Sequence, residues 1–371
     1  MTAPPEQLLL VKPSSFGDII HALPVLDAIH RSWPRTAVDW TVKPEWIALL
    51  EGHPMLRDVL PFPTSWGAWR RSIALVRSRR YDMVLDLQGL LRSGLLTVSS
   101  GSPVRIGFAN GREGSPWCYT RRIETPGGSM SGSRRVTGTA AIHAIDRYLF
   151  LAREAGVPFE GPVRFPLPPW PGAERWVDLT WEEAGIRPMD RVCVIHPAAR
   201  WATKRWPAER FALLADRLAG EGGWRVVLVA GAGERDQAAE VSAMTKRPHL
   251  DLSGQTTLPQ LAAVLRRSTL LVTNDSGPMH LAVAVGTPVV ALFGPTEPRA
   301  VGPYGPGHMV LWKAVDCSSC TRQHCVRDLA CLNAITIEEV WAAVESIRRP
   351  TPRGNADPLR VASSPIAGGV S

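Results

Sequence analysis

Leu8-Leu-Leu-Val11-Lys12-Pro-Ser-Ser-Phe-Gly17-Asp18-Ile-Ile-His21-Ala-Leu-Pro24 is the stretch that decides the fold class. Four apolar residues in a row, bounded by Pro and Ser, read as a strand buried on both faces. Apolar residues then return at Ile19, Ile20, Leu23, Leu26 and Ile29, the spacing of a helix over 18–31. Gly17 lies in the turn between them, where the lack of a side chain lets a ligand approach the backbone. Asp18 falls at the helix start. It reads either as a plain N-cap or as a carboxylate kept ionised by the positive helix end.

The strand–turn–helix unit recurs along the chain. Further strands are expected at 38–42, 59–62 and 83–87, with helices at 66–79, 90–96 and 140–155. Residues 110–138, rich in Gly, Ser and Arg, read as a loop. The second half repeats the alternation, with strands at 192–196, 226–230, 270–273 and 288–292. Its helices are expected at 207–221, 234–246, 258–266, from Gly277 onward, and at 337–347. Such alternation implies a parallel sheet covered by helices on both faces. Between the halves, residues 156–172 are dense in proline and read as a linker. The expected organisation is α/β: a domain over 1–165, a second over 173–348, and a disordered tail at 350–371 whose Pro, Gly and Ser bury little. Ligands of such sheets bind beyond the carboxyl ends of the strands, so two facing sheets place donor and acceptor on opposite walls of a cleft.

Length and composition agree. A chain of 371 residues with 45% hydrophobic and 20% charged residues suits two globular domains. That composition excludes collagenous, coiled-coil and wholly disordered classes. The net charge is +8, and only Lys12, Lys43, Lys204, Lys246 and Lys313 are lysines. Between Trp66 and Arg135 twelve arginines stand against four acids, an excess equal to the net charge of the whole chain. A basic surface of that density attracts an anionic partner: phosphorylated lipid, nucleic acid or an acidic membrane. No basic leader or run of about 20 apolar residues is present, so a cytoplasmic location is expected.

Three further strand-to-helix turns carry polar residues. Asn274-Asp275-Ser276-Gly277-Pro278-Met279-His280 opens a helix whose free N–H groups suit a diphosphate. His196-Pro-Ala-Ala-Arg200-Trp-Ala-Thr-Lys204 supplies a cation to offset phosphate charge. Gly231-Ala-Gly233-Glu234 half-matches a dinucleotide fingerprint but lacks its third Gly, which weakens an oxidoreductase reading. Cys317, Cys320, Cys325 and Cys331 have short spacings. They read as a structural metal site or as thiols, and no catalytic role is expected of them.

Taken in order, these motifs resemble glycosyltransferase family nine, the heptosyltransferases of lipopolysaccharide core assembly. Ser14–Asp18 with 21–24, Asp86-Leu-Gln88-Gly89, Arg105-Ile-Gly107, His143–Arg147, Lys204–Pro207, Asp275–Gly277 with His280, and Gly294–Pro298 carry the resemblance. It implies a GT-B fold of two Rossmann-like domains, the acceptor on the first, ADP-heptose on the second, and the last helix crossing back to the first domain. It implies Asp18 as the catalytic base, and Lys204, Glu234, Asp275, Ser276, Gly277 and His280 as donor-binding residues. It also implies that the Arg-rich segment, Arg70, Arg71 and Arg92 first, meets the acidic groups of a Kdo-lipid A or inner-core acceptor at the inner membrane. No nucleic acid partner is then expected. A nucleoside diphosphate leaves as a stabilised anion, so one base and no general acid suffices for inversion. The chain has no Asp-x-Asp motif, so neither a catalytic metal nor any other cofactor is expected. A family member with another donor or acceptor, or a non-catalytic nucleotide-sugar-binding protein, stands as the alternative.

Overall fold

The computed structural model describes residues 4–125, 141–348 and the backbone of 360–362. The chain divides into two compact units, Met1–Pro169 and Trp170–Ser371.

The first unit runs β1 (Gln7–Val11), α1 (Phe16–Ser32), β2 (Ala37–Val42), β3 (Asp58–Pro61), α2 (Trp66–Ser78), β4 (Met83–Asp86), α3 (Leu91–Ser99), β5 (Val104–Phe108), β6 (Arg121–Ile123) and α4 (Ala144–Glu154). Its strands are all parallel and lie in the order β3-β2-β1-β4-β5-β6. That is the doubly wound order, in which the chain leaves the central pair in opposite directions and opens a crevice between β1 and β4. Leu8, Leu9 and Leu10 are wholly buried, as a central parallel strand requires. Each contributes about 2 kcal/mol of apolar burial.

The second unit runs α5 (Pro171–Glu183), β7 (Val192–His196), α6 (Ala208–Gly220), β8 (Arg225–Leu228), α7 (Arg235–Met244), β9 (Leu250–Asp251), α8 (Leu258–Arg267), β10 (Leu270–Asn274), α9 (Gly277–Ala284), β11 (Val289–Phe293), α10 (Pro298–Val301), β12 (Met309–Trp312), α11 (Ala330–Asn333), α12 (Ile337–Arg348) and β13 (Arg360–Ala362). Its order, β13-β12-β11-β10-β7-β8-β9, repeats the topology of the first unit with one more edge strand. The switch point here lies between β7 and β10, where His196 stands opposite Thr273 in register.

Three expectations need correction. The segment expected to be a loop at 110–138 contains a 3-10 turn at Ser115–Cys118 and the edge strand β6; its residues from 126 on lie outside the described part. Short edge elements carry too little apolar periodicity to be read. The linker is shorter than expected, because Pro171 starts α5 at a position where a helix tolerates the missing N–H. Of the tail expected to be disordered, Arg360–Ala362 pair with β12; the backbone of an edge strand offers unpaired groups to any passing segment. The rest of that tail lies outside the described residues. Within the second unit, Val340, Ala343 and Val344 of α12 are buried in the core with Phe211 and Leu292.

Gly107 on β5 shows how tightly the first sheet is packed. A Cβ there would stand 2.4 Å from the ring of Tyr119. The ring cannot swing away freely, because its hydroxyl donates to Asp86 Oδ2 at 2.8 Å. Gly107→Ala is therefore expected to destabilise the protein by about 2 kcal/mol, measured by urea titration.

Candidate functional site

In the first unit the switch point is occupied by Asp18. Its place in the first turn of α1 follows from Ser15, whose N–H and hydroxyl both donate to Asp18 Oδ2, at 3.0 and 2.7 Å. The second oxygen, Oδ1, accepts from the Tyr148 hydroxyl at 3.2 Å and lies 3.8 Å from Lys12 Nζ. Lys12 directly follows β1 and is 3% exposed, whereas the Asp18 side chain is 38% exposed. The carboxylate thus faces solvent with a cation buried behind it. Lys12 Nζ also lies 5.2 Å from the centre of the Tyr148 ring. Burial alone pushes the Lys12 ammonium toward neutrality; Asp18 and Tyr148 outweigh that push, and its pKa ends above the ordinary lysine value. The charge is therefore present throughout the neutral range, and the stability it contributes is lost only as pH rises through that raised value.

Next to it, Asp86 ends β4. It accepts from the N–H groups of Gln88 and Gly89, at 2.8 and 3.1 Å, and from Tyr119. Burial pushes this carboxyl up, against those hydrogen bonds. Asp86 holds the turn into α3 rather than facing a ligand.

The three arginines assigned to acceptor binding are placed less uniformly. Arg70 and Arg71 are exposed on α2, with no ion-pair partner among the described residues. Arg92 is exposed on α3, donates to the Pro63 carbonyl at 3.1 Å and lies 5.9 Å from the Phe62 ring centre. Asp18 and these arginines all belong to the first unit.

In the second unit the structure gathers residues that are far apart in sequence. Lys204 Nζ donates to Asp275 Oδ2 at 2.6 Å, and the hydroxyl of Thr296 donates to the same oxygen at 2.6 Å. The Asp275 side chain is 5% exposed, so this pair is largely desolvated. Lys204 also lies 4.9 Å from the Trp201 ring centre. Asn274 ties the end of β10 to the β7 loop: it accepts from Trp206 N–H at 3.0 Å and donates to the Pro197 carbonyl at 2.7 Å.

His196 is the residue the motifs left without a role. It is buried at the end of β7. Its Nδ1 lies 3.2 Å from Ser276 Oγ and 3.4 Å from Thr273 Oγ1, and its Nε2 lies 3.5 Å from Glu234 Oε2. One imidazole therefore links two residues assigned to the donor, Ser276 and Glu234. The imidazole, helped by the Gly231 N–H at 3.3 Å, holds the Glu234 carboxyl below its ordinary value against the opposing effect of burial. The Gly231 amide is thereby directed to a side chain, unlike that of a dinucleotide fingerprint. Ser276 is the N-cap residue of α9 but makes no side-chain capping bond; its hydroxyl is engaged with Thr273 and His196. Gly277 opens the helix and His280, buried, follows one turn after Ser276.

The structure thus joins Lys204 with Asp275, and Glu234 with Ser276 through His196. Lys12, Tyr148, His196 and Thr296 were not singled out for a role. Lys12 opens the first motif and lysine is scarce in this chain, but its place behind Asp18 appears only in the fold. The four clustered cysteines are all free. Among the described residues no three His, Cys, Asp or Glu side chains gather as a metal site.

Two doubly wound units in one chain, each with its polar side chains at the switch point, are the architecture of a GT-B glycosyltransferase. The chain belongs to glycosyltransferase family 9 (heptosyltransferase), whose model matches residues 69–330. Lipopolysaccharide heptosyltransferase 1 of Pseudomonas aeruginosa is 31% identical over 86% of this chain and 87% of its own. The glycosyl transferase family 9 structure from Veillonella parvula aligns with a TM-score of 0.77 at 23% identity, covering 92% of this chain and 97% of that one. The E. coli ADP-heptose lps heptosyltransferase II structure aligns with a TM-score of 0.73 at 24% identity, covering 92% and 98%.

Proposed function

We propose that this protein transfers heptose from ADP-heptose to the Kdo or heptose inner core of lipopolysaccharide, inverting the anomeric centre, at the cytoplasmic face of the inner membrane. The observation that carries the reading is the second switch point. There a lysine–aspartate pair and the start of α9 meet in a chain of this family, whose relatives are named for that donor and acceptor. Helix N-termini and lysines suit diphosphates. Lys204, Glu234, Asp275, Ser276, Gly277 and His280 bind the nucleotide sugar in this reading. Arg70, Arg71 and Arg92 meet the acidic groups of the acceptor.

The chemistry is a single displacement. The acceptor hydroxyl oxygen bonds to the anomeric carbon as the bond from that carbon to the diphosphate breaks. The bonding pair leaves on ADP, and the hydroxyl proton passes to Asp18. Lys204 and the α9 amides stabilise the departing charge. Lys12 stands behind the base as a buried cation and Tyr148 fixes its orientation, while Arg147 adds a further positive charge beside Lys12 and Tyr148. Lys12→Met is therefore expected to move the acidic limb of the kcat/KM profile to higher pH, since loss of a cation favours the protonated carboxyl. An unshifted limb would remove Lys12 from the mechanism.

The deciding experiment measures ADP release from ADP-heptose with Kdo-lipid A, beside UDP-glucose and no-acceptor controls. Acceptor-dependent release with a heptose mass gain is expected. Silence with ADP-heptose, and turnover with a different donor, would overturn the assignment.

A further inference from the structure

Folding leaves an apolar face of the first unit in water. Trp66, at the start of α2, is 90% exposed, and Trp117, in the Ser115–Cys118 turn, is 79% exposed. Leu91, Leu95 and Val98 recur at helical spacing along α3, and all three are exposed. The opposite side of α3 already packs inward through Leu96 and Thr97. This stripe is therefore additional to the face that anchors the helix. Scattered exposed apolar residues need no explanation, but five large ones on adjoining elements do.

The elements are joined. The Trp117 turn packs on α3 at Gly94, where a Cβ would stand 2.9 Å from Cys118 Sγ. On the other flank, Arg92 reaches from α3 to the Pro63 carbonyl, three residues before Trp66. Cations border the apolar residues throughout. The Arg122 guanidinium lies 4.9 Å over the Trp117 ring, Arg70 follows Trp66 by one turn of α2, and Arg92 stands beside Leu91. The carboxylate of Glu113 also enters the patch, where it accepts from the Leu91 N–H at 3.3 Å.

We propose that this face docks on an anionic lipid bilayer. Trp66, Trp117 and the α3 stripe enter the interfacial layer, where amphipathic rings are favoured. Arg122 meets lipid phosphates, which the guanidinium fork matches, and Arg70 and Arg92, assigned above to the acceptor's acidic groups, add their charge to the same face. Charge complementarity selects this partner: an apolar strip bordered by arginines fits phosphate headgroups above acyl chains. The inference deepens the proposed function, since a lipid-anchored acceptor lies at such a surface, but its test is separate.

The test is co-sedimentation of the full chain with phosphatidylcholine vesicles, with and without roughly one-third phosphatidylglycerol. Binding to the anionic vesicles alone is expected. The double variant Leu95→Asp with Trp117→Ser is expected to bind about tenfold more weakly, with unchanged turnover on a deacylated, water-soluble acceptor. Equal vesicle binding by the double variant overturns the proposal. A dimer that the same variant dissolves, without vesicle binding, assigns the face to a second copy and also overturns it. Turnover on the soluble acceptor without wild-type vesicle binding defeats the docking face and leaves the function standing. Vesicle binding that depends on the face, without any transfer, supports the face and defeats the function.

Discussion

Replacing Asp18 with asparagine lowers transfer roughly a thousandfold while donor affinity stays within about twofold. The substitution keeps the side-chain volume and an oxygen that can accept from Ser15, whose N–H and hydroxyl now bond to Oδ2. What it removes is the site that receives the proton. The acceptor hydroxyl must then lose its proton to water as the new bond forms, which is the contribution general bases supply. Donor affinity is expected to survive, because every residue assigned to the nucleotide sugar lies in the second unit while Asp18 lies in the first. Turnover and calorimetric titration with ADP-heptose separate the two effects. Transfer retained above a tenth of wild type would reject Asp18 as the base. Loss of donor binding together with transfer would show that the substitution damaged more than proton transfer.

Lys204→Ala is expected to weaken donor binding by about ten- to a hundredfold, or roughly 1.4–2.7 kcal/mol. Two effects act in the same direction. The variant loses a cation that offsets phosphate charge. It also exposes the diphosphate to Asp275, a nearly buried carboxylate left with only the Thr296 hydroxyl of its two side-chain partners. A truncated partner of a desolvated pair leaves the other charge uncompensated. Adding Asp275→Asn to Lys204→Ala is therefore expected to restore part of the affinity. Lys204→Arg restores less than the charge alone suggests, because a planar fork does not replace a compact ammonium held over Trp201. Unchanged affinity and turnover in Lys204→Ala would remove it from the donor site.

The strands that could be read were those with uninterrupted apolar runs. The run at 192–196 coincides with β7, and that at 8–11 with β1 less its first residue. Strand β5 escaped because Arg105 and Gly107 break its run, and Gly107 is there to make room for Tyr119. Helix α5 escaped because Pro171 reads as linker when its structural role is to start the helix. Asp18, Lys204 and Asp275 were legible as candidates because each follows a strand at a turn, a place where ligands bind. His196 was equally well placed, but nothing in its own neighbourhood tells a ligand-side histidine from a core one.

By itself, the sequence determined the alternation of strands and helices, the proline-rich junction between two domains, the chemistry of each turn and the basic character of residues 66–135. These are local properties, written in periodicity and residue type. Only the tertiary structure decided which strands are neighbours. Periodicity states which face of a strand is buried, not which strand lies beside it. That choice is made by packing among segments distant in the chain. The pairing of β7 with β10 brings His196 to Ser276 across 80 residues and Lys204 to Asp275 across 71. The same kind of packing turned Tyr148, on α4, onto Asp18 across 130 residues. The candidate base was visible in one turn of sequence; its buried cation and its hydroxyl partner became visible only when β1, α1 and α4 were folded together.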